Sequence, residues 1–415
     1  MSEKEEIKYS NYEYDIAKFD IIINGKKETS LHTAQIRQLY IEKDFDNDIL
    51  PVMLVQLSIS IDLYYKICQN ANKTKFLISI YSQKRHEEND PPTNRSLFMS
   101  GSFDPIIPDG TPFTDEEMYK DYKESTTTGE GELTRDDFLN EFTFILSKRS
   151  NIIASKKIIN KVLTSSNMTD AVTYLLSSCG LSNVLMSPMD NYSSYSEVIL
   201  LPIGLADQIR YLDNTFGFYK HGMLLFFDFD TIYLLRKCAK CTAYRKNELV
   251  DVIFHVYKMT DGKDMDKGSY ITKDGKKAHI ALDSESYYID DGSETSDSFS
   301  GANTLILNDD SSVSSATTED SHSFNILTTT SHNKYAAYET KLRLKENKLT
   351  VSLGVKNFDL KLLAPNKHYK ILCDDSSIAK KLQHNYRLSG YTLQFISTGD
   401  TYSVDASIQL KSSEA

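Results

Sequence analysis

The chain has 415 residues, a formal net charge of −11 and 25% charged residues. This composition is typical of a soluble globular protein with roughly two to four domains. The acidic balance argues against a tightly held nucleic acid, because phosphate binding depends on Lys and Arg side chains that release counterions.

Cysteine content and hydropathy indicate the compartment. The five cysteines are scattered and odd in number, which predicts a reduced compartment without a disulfide framework. The first residues show no basic region followed by an apolar run, and the least polar window, residues 49–61, is too short to span a bilayer. We therefore expect no membrane span, and synthesis in a cytoplasm where the protein stays until assembly.

The first predicted domain, residues 1–146, is rich in alternating strands. The segment 19–23 alternates with period two before Asn24-Gly25, a hairpin signal. The most regular strand is predicted over residues 53–63, and residues 76–81 return beside it. Turn residues then dominate a loop-rich insertion at about 83–132, and a strand at 138–146 closes the domain.

Residues 147–236 predict a connecting module of helices and a β-hairpin. One helix is predicted over 156–163, and Thr169 with Asp170 caps a second helix on which Cys179 is a core residue. A further helix begins after Gly204 and ends at Gly217, where a residue is needed that readily adopts positive φ. Two short apolar runs, 223–227 and 232–235, then predict a hairpin.

Residues 237–415 predict a second β domain. A strand is expected at 249–257, followed by a Ser/Thr/Asp-rich insertion at about 260–338. Its most polar part, 283–333, predicts a weakly ordered segment with one or two short strands. Long alternating strands return from residue 342 onward and end with the clean alternation of 402–410.

Metal-site spacing occurs at Cys238 and Cys241, whose thiolates could share a tetrahedral zinc. Such a site needs two more ligands, for which His255 and His279 are unpaired candidates, so two ordinary cysteines are favoured. The acidic insertion has no twelve-residue calcium loop with the required Gly and Glu. We expect neither a metal nor a cofactor.

Catalytic patterns are weak throughout the chain. Asp228 and Asp230 could form a carboxylate pair, but a solvated hairpin turn whose side chains satisfy backbone donors explains them more simply. His221 fits an exposed turn residue better than a general base. No recognised nucleophile or phosphate-binding motif occurs in a credible setting, so we expect no catalytic residue and no enzyme.

The segment 211–235, YLDNTFGFYKHGMLLFFDFDTIYLL, joins a helix to a hairpin through an aromatic GFY turn. It resembles the corresponding junction in the baseplate hub proteins of contractile phage tails. The resemblance implies two tail-tube-like antiparallel β-barrel domains, at about 8–146 and 237–412, around an α+β connecting module. The expected fold class is therefore mainly β.

The same resemblance implies a function and a set of partners. A homotrimer would present six barrels to a six-fold tail tube and join the tube to a three-fold central spike. Its partners would be the tail tube protein, the spike protein and other baseplate proteins, with DNA passing only in transit. The protein would reside in the virion after assembly in the bacterial host cytoplasm.

Two other functions remain open from the sequence. A receptor-binding or peripheral baseplate protein would be favoured if the polar insertion formed an ordered sugar-binding tip. A cell-wall hydrolase associated with the tail would need a catalytic set, which the sequence does not reveal.

Overall fold

The computed structural model describes residues 10–85, 93–107, 139–237, 251–256, 268–282, 287–290, 303–307, 313–316, 324–328, 349–365 and 367–412. The strands are β1 (Asn11–Ile23), β2 (Lys26–Ser30), β3 (Ile36–Asp44), β4 (Val52–Ser60), β5 (Thr74–Arg85), β6 (Thr93–Ile106), β7 (Leu139–Ser147), β8 (Lys161–Asn167), β9 (Val184–Met186), β10 (Ser194–Leu200), β11 (Met223–Asp228), β12 (Thr231–Arg236), β13 (Asp251–Val256), β14 (Ser269–Ile271), β15 (Lys277–Leu282), β16 (Tyr287–Asp290), β17 (Asn303–Leu307), β18 (Val313–Ala316), β19 (Phe324–Thr328), β20 (Thr350–Lys356), β21 (His368–Cys373), β22 (Tyr386–Ser397) and β23 (Tyr402–Ser412). The α-helices are α1 (Ile61–Gln69), α2 (Arg149–Lys156), α3 (Met168–Ser178), α4 (Leu205–Phe216) and α5 (Ser376–Leu382).

Antiparallel strands close into a ring in the order β1, β5, β6, β7, β4, β3, β22 and β23. The closing pair joins β1 to β23 through Tyr14 and Tyr402. Closure removes the free edges that an open sheet would present. The expected mainly β fold with an antiparallel barrel is confirmed.

A second group of strands extends from β22 and β23. Tyr369 in β21 pairs with Tyr386 in β22, and β13 lies parallel to both β21 and β15. On the other side, β20 pairs with β23, and β16 pairs with β20. The ring and this group therefore share hydrogen bonds, while the domain boundaries at residues 146 and 237 stay predictions.

The connecting module has its own small sheets. β8 pairs with β10, while β12 lies between β11 and β9. The three helices α2, α3 and α4 accompany these strands, and α4 packs against both α2 and α3. The module buries a core of aliphatic and aromatic side chains that is separate from the core of the ring.

The clearest sequence patterns are confirmed in the ring. Along β4, Met53, Val55, Leu57 and Ile59 are buried in one core, as period-two alternation requires. At the β1–β2 turn, Asn24 and Gly25 both have positive φ, 53° and 76°. That combination defines the tight hairpin turn that the sequence predicts.

Several predicted element boundaries are wrong. The strand predicted through residue 63 ends at Ser60, whose hydroxyl accepts the Leu63 N–H and begins α1. Residues 156–163 do not form a helix, because α2 ends at Lys156 and β8 begins at Lys161. The 14-residue strand β6 lies within the predicted loop insertion at 83–132.

The start and end of α3 also differ from expectation. Asn167, rather than Thr169 or Asp170, caps the helix by accepting the Asp170 N–H at 2.8 Å. Cys179 is partly buried at the helix end and packs at the margin of the module core. Gly180, with φ of 79°, follows the helix as predicted.

In the polar insertion, β16 to β19 are four short strands where one or two were expected. β17 pairs with β18 and β19, and β16 pairs with β20. Residues 342–348, where the long strands are expected to return, lie outside the described residues, as do Cys238 and Cys241. Among the described helices, none is both long and apolar enough to cross a membrane.

Candidate functional site

The hairpin β11–β12 has one face in each of the two cores. Leu224, Phe226 and Leu235 belong to the core of the ring, whereas Leu225, Phe227, Ile232 and Leu234 belong to the core of the module. A strand that is buried on both faces needs a continuous apolar run, which explains the sequence of residues 223–227. The hairpin therefore joins the two cores by direct packing.

The hairpin contacts the segment after β3 through aromatic side chains and through one backbone hydrogen bond. The rings of Phe45 and Phe226 lie 4.5 Å apart, and Tyr233 stacks on Phe226 at 5.1 Å. The Phe227 N–H donates to the Ile49 carbonyl at 2.7 Å. The segment that follows β3 therefore continues the contact between the ring and the hairpin.

The hairpin tip is held by side chains from two other elements. Lys43 in β3 forms an ion pair with Asp228, and Lys148, which precedes α2, pairs with Asp230 at 2.6 Å. Asn151 in α2 donates its side-chain N–H to the Phe229 carbonyl. We call this set, Lys43, Lys148 and Asn151 with residues 228–230, the hairpin clasp.

The clasp shows how Asp228 and Asp230 are placed at the predicted hairpin turn. The predicted turn is confirmed, because β11 ends at Asp228 and β12 begins at Thr231. However, the two carboxylates pair with lysines from elsewhere in the chain, a contact that the solvated-turn interpretation did not include. The two ion pairs therefore hold the hairpin tip against β3 and the start of α2.

Phe229, at the hairpin tip, packs against Phe103 and Lys43. It has φ of 51°, an uncommon conformation for a bulky residue and one that surrounding contacts must hold. Its ring makes an edge contact with Phe103 at 5.5 Å and lies 4.4 Å from the Lys43 Nζ. A small cavity of about 10 Å³ lies beside it and is lined also by Lys148 and Asn151.

Lys43 is a charged residue with only 7% of its side chain exposed. Burial opposes its charge, but Coulombic interactions with Tyr391 and Asp228 outweigh burial and raise the Lys43 pKa above its ordinary value. The cation also faces the rings of Phe229 and Tyr391. Lys43 is thus charged inside the protein and links β3 to the hairpin tip and to β22.

A second buried ionic group, the Asp46 cluster, lies near the other end of the hairpin. The Asp46 carboxylate is 2.8 Å from Arg387, 2.9 Å from Lys411 and 3.7 Å from Lys237, and the Ser389 hydroxyl donates to it at 2.6 Å. Burial would raise the Asp46 pKa, but the three cations hold it well below its usual range. The cluster ties β22 and β23 to the residue that follows β12.

The GFY turn fixes the helix before the hairpin. Gly217 ends α4 with φ of 71°, as predicted, and Phe218 and Tyr219 are fully buried. Asp213 accepts the Phe218 N–H at 2.8 Å, and the Tyr219 hydroxyl donates to the Ser187 carbonyl at 2.8 Å. His221, expected to be exposed, is half-buried in the following turn.

The two candidate histidines are brought together in the C-terminal strands. His255 Nε2 and His279 Nδ1 lie 2.7 Å apart, and Tyr270 stacks on the His279 ring at 4.6 Å. Within the described ranges, no cluster of three or more His, Cys, Asp or Glu could hold a metal. Because Cys238 and Cys241 lie outside those ranges, the absence of a zinc site stays a prediction.

Similar solved structures include a tail protein from Neisseria meningitidis MC58, with 11% identity, TM-score 0.49 and coverage of 96% of both chains. The 43 kDa tail protein of prophage MuSo2 from Shewanella oneidensis has 8% identity and TM-score 0.47, with 94% of this chain and 96% of that chain covered. The E. coli c3393 protein, a component of the type VI secretion system, has 10% identity and TM-score 0.44, with 95% and 77% covered.

No curated protein shows significant similarity to the chain. The family model described as bacteriophage PBS1 gene 109 protein matches residues 5–413. This match spans nearly the whole sequence and confirms the relationship to phage proteins that the 211–235 segment suggests. The chain therefore belongs to the bacteriophage PBS1 gene 109 protein family.

Proposed function

We propose that the protein is a structural baseplate hub of a contractile phage tail, which joins the six-fold tail tube to the three-fold central spike. Membership of a phage protein family supports a role in the virion. The closed antiparallel ring supports a tube-like architecture, because closure removes free edges from a wall that must remain intact.

The observation that carries the proposal is the sharing of β22 and β23 between the ring and the second group of strands. Each chain then provides two β units in a fixed relation. Three copies related by a three-fold axis would present six units, the number that a six-fold tube requires.

The proposed hub has defined partners and a defined location. The protein forms a homotrimer that contacts the tail tube protein, the central spike and other baseplate proteins, and it resides in the virion after assembly in the host cytoplasm. DNA passes through the trimer in transit, and a chain with a net charge of −11 disfavours phosphate adhesion. The role is structural and not enzymatic.

The hairpin clasp and the Asp46 cluster give this hub its rigidity. Both use buried or partly buried ion pairs to fix the hairpin, one at its tip and the other beside its last residue. Moving the hairpin away from these ion pairs would leave buried charges without compensation, so both sets of contacts oppose its displacement. A rigid junction is what an adaptor between two symmetries needs.

Electron microscopy of purified tails tests the proposal. Particles that carry a small folded tag at the C-terminus of this chain should show three extra densities around the tail axis, at the spike end of the tube. Tag density at the periphery of the baseplate, or a copy number that is not a multiple of three, would contradict the hub role. Peptidoglycan cleavage by the pure chain would contradict the non-enzymatic part.

A further inference from the structure

An aliphatic groove of about 650 Å³ lies between α2 and the end of β6. One wall is formed by Pro105, Ile106 and Ile107, and the opposite wall by Ile152 and Ile153. Its volume falls within the range of about 300–1,000 Å³ that is common for ligand pockets.

Two aliphatic side chains of this groove are exposed. Ile153 is 62% exposed and Ile106 is 37% exposed. Neither belongs to the two hydrophobic cores, so their burial does not stabilise the described fold. Exposed aliphatic side chains that line one groove and are bordered by polar groups are suited to an interaction site.

A cation stands at each end of the α2 wall. Arg149 and Lys156 are seven residues apart and so share a face of the helix with Ile152 and Ile153, at a spacing of about 10 Å. Both line the groove. The wall therefore presents positive charge, then aliphatic surface, then positive charge.

These two cations have no carboxylate partner for their side chains within the described ranges. The Arg149 guanidinium donates to the neutral amide of Asn72 at 2.5 Å, while Asp104 accepts the backbone N–H of Arg149 at 3.2 Å. Asp104 also lines the groove, so two cations there face one carboxylate, whereas the whole chain has an excess of acidic residues. Such a site complements an acidic partner.

We propose that this groove docks a segment of a neighbouring protein in which aliphatic residues are flanked by two carboxylates. The aliphatic side chains pack between α2 and β6, and the carboxylates pair with Arg149 and Lys156. This inference goes beyond the hub role and does not require it, because it rests on the walls and charges of the groove alone.

Docking at this site would act on the helix that holds the hairpin clasp. Asn151, which binds the Phe229 carbonyl, is buried, whereas the adjacent Ile152 and Ile153 line the groove. A partner on the outer face of α2 thus contacts the same helix turn that fixes the hairpin tip. The groove is a place where a neighbour could stabilise the junction from outside.

Selection from a displayed library of random ten-residue peptides tests the proposal. Peptides enriched on the full chain should carry Asp or Glu on both sides of two or more aliphatic residues. Enrichment of basic or uncharged peptides, or the absence of enrichment, would overturn it. Because the whole chain is acidic, nonspecific attraction cannot produce the expected class.

Variants then locate the binding. Ile153→Asp should weaken the best peptide roughly tenfold or more, whereas Ile158→Asp, at a similarly exposed isoleucine outside the groove, should change its affinity less than twofold. Replacing both Arg149 and Lys156 with Glu should invert the selected class to basic peptides. Equal effects of the two isoleucine variants, or an unchanged class after charge reversal, would contradict the site.

A second copy of the chain is the alternative occupant. Sedimentation velocity of the wild type and of Ile153→Asp distinguishes it from a foreign segment. The proposal predicts the same oligomeric state for both, because the groove serves another protein. Loss of oligomers in Ile153→Asp would show that the groove is a contact between copies and would overturn the proposal.

Discussion

The Nζ atom of Lys43 lies 4.4 Å from the centroid of the Phe229 ring, and the same Nζ forms an ion pair with Asp228. One buried cation therefore contacts both the aromatic ring of Phe229 and the carboxylate of Asp228 at the hairpin tip. Lys43 and Asp228 are 185 residues apart in sequence. Lys43 therefore fixes the hairpin tip to strand β3 of the barrel.

Replacing Lys43 with Met should lower the free energy of unfolding by about 2 kcal/mol. The loss is smaller than the roughly 3–5 kcal/mol of a fully buried broken pair, because Asp228 retains contact with solvent. Urea denaturation measures the difference. Lys18→Met, which removes an exposed lysine while Asp20 keeps its ion pair with Lys27, is the control and should cost roughly 1 kcal/mol or less.

Replacing Asp46 with Asn should have a larger effect, a loss of about 3–5 kcal/mol in the free energy of unfolding. Arg387 is as deeply buried as Asp46, so removal of the carboxylate leaves a buried cation without compensation. Asp405→Asn is the control, because Asp405 pairs with a largely exposed Lys356. If both variants lost the same stability, the Asp46 cluster would have no special role.

The Asp46 cluster also predicts a dependence on acid. The folded-state pKa of Asp46 is well below the unfolded value of about 3.9, so its stabilisation is complete above about pH 4 and declines as the pH falls below that value. The difference in unfolding free energy between wild type and Asp46→Asn should therefore shrink from pH 5 to pH 3. A constant difference over that range would contradict the assignment.

The paired histidines predict a second pH effect near neutrality. Burial lowers the pKa of both His255 and His279; the neighbouring His255 and Lys277 lower that of His279 further, while Asp374 raises that of His255. Below about pH 6.5 the unfolded chain binds protons that the folded chain does not, so stability decreases as the pH falls. His279→Gln should make the stability curve between pH 7 and pH 5 flatter, as measured by urea denaturation. A variant curve as steep as the wild-type curve would contradict this account.

Two glycines form a matched pair for a backbone test. Both Gly268 and Gly275 have positive φ, but a Cβ at Gly268 would lie 2.1 Å from the Ser10 carbonyl, whereas a Cβ at Gly275 meets open space. Gly275→Ala should cost about 1 kcal/mol, from strain alone. Gly268→Ala should cost more than about 3 kcal/mol, because it also disrupts the bridge between Ser10 and Ser269. Thermal unfolding compares the two.

The sequence predicts those features of the fold that depend on local patterns. The alternation from Met53 to Ile59 and the turn at Asn24 follow from side-chain period and backbone preference, and both are present. Ser60 ends β4 early although the apolar alternation continues to Leu63. Ser60 caps a helix, and Asp62 in the first turn of that helix favours it further. These two helix signals outweigh the strand-like alternation of residues 61–63.

The contacts of the candidate site could not be predicted in the same way. Asp228 and Asp230 look like ordinary turn residues because their partners, Lys43 and Lys148, are distant in sequence. Likewise, His255 and His279 become neighbours through the parallel pairing of β13 and β15, which no local pattern specifies. Long-range pairing decides which polar residues meet.

The joining of β1 to β23 has a consequence for biosynthesis. Tyr14 and its strand partner Tyr402 are far apart in sequence, so this pair can form only after all the residues between them have been made. Until then β3 and β1 lack their C-terminal neighbours and expose backbone groups that can pair with other chains. The nascent barrel is therefore vulnerable to aggregation while the residues between β3 and β22 are being made, and its final closure is a slow, non-local step.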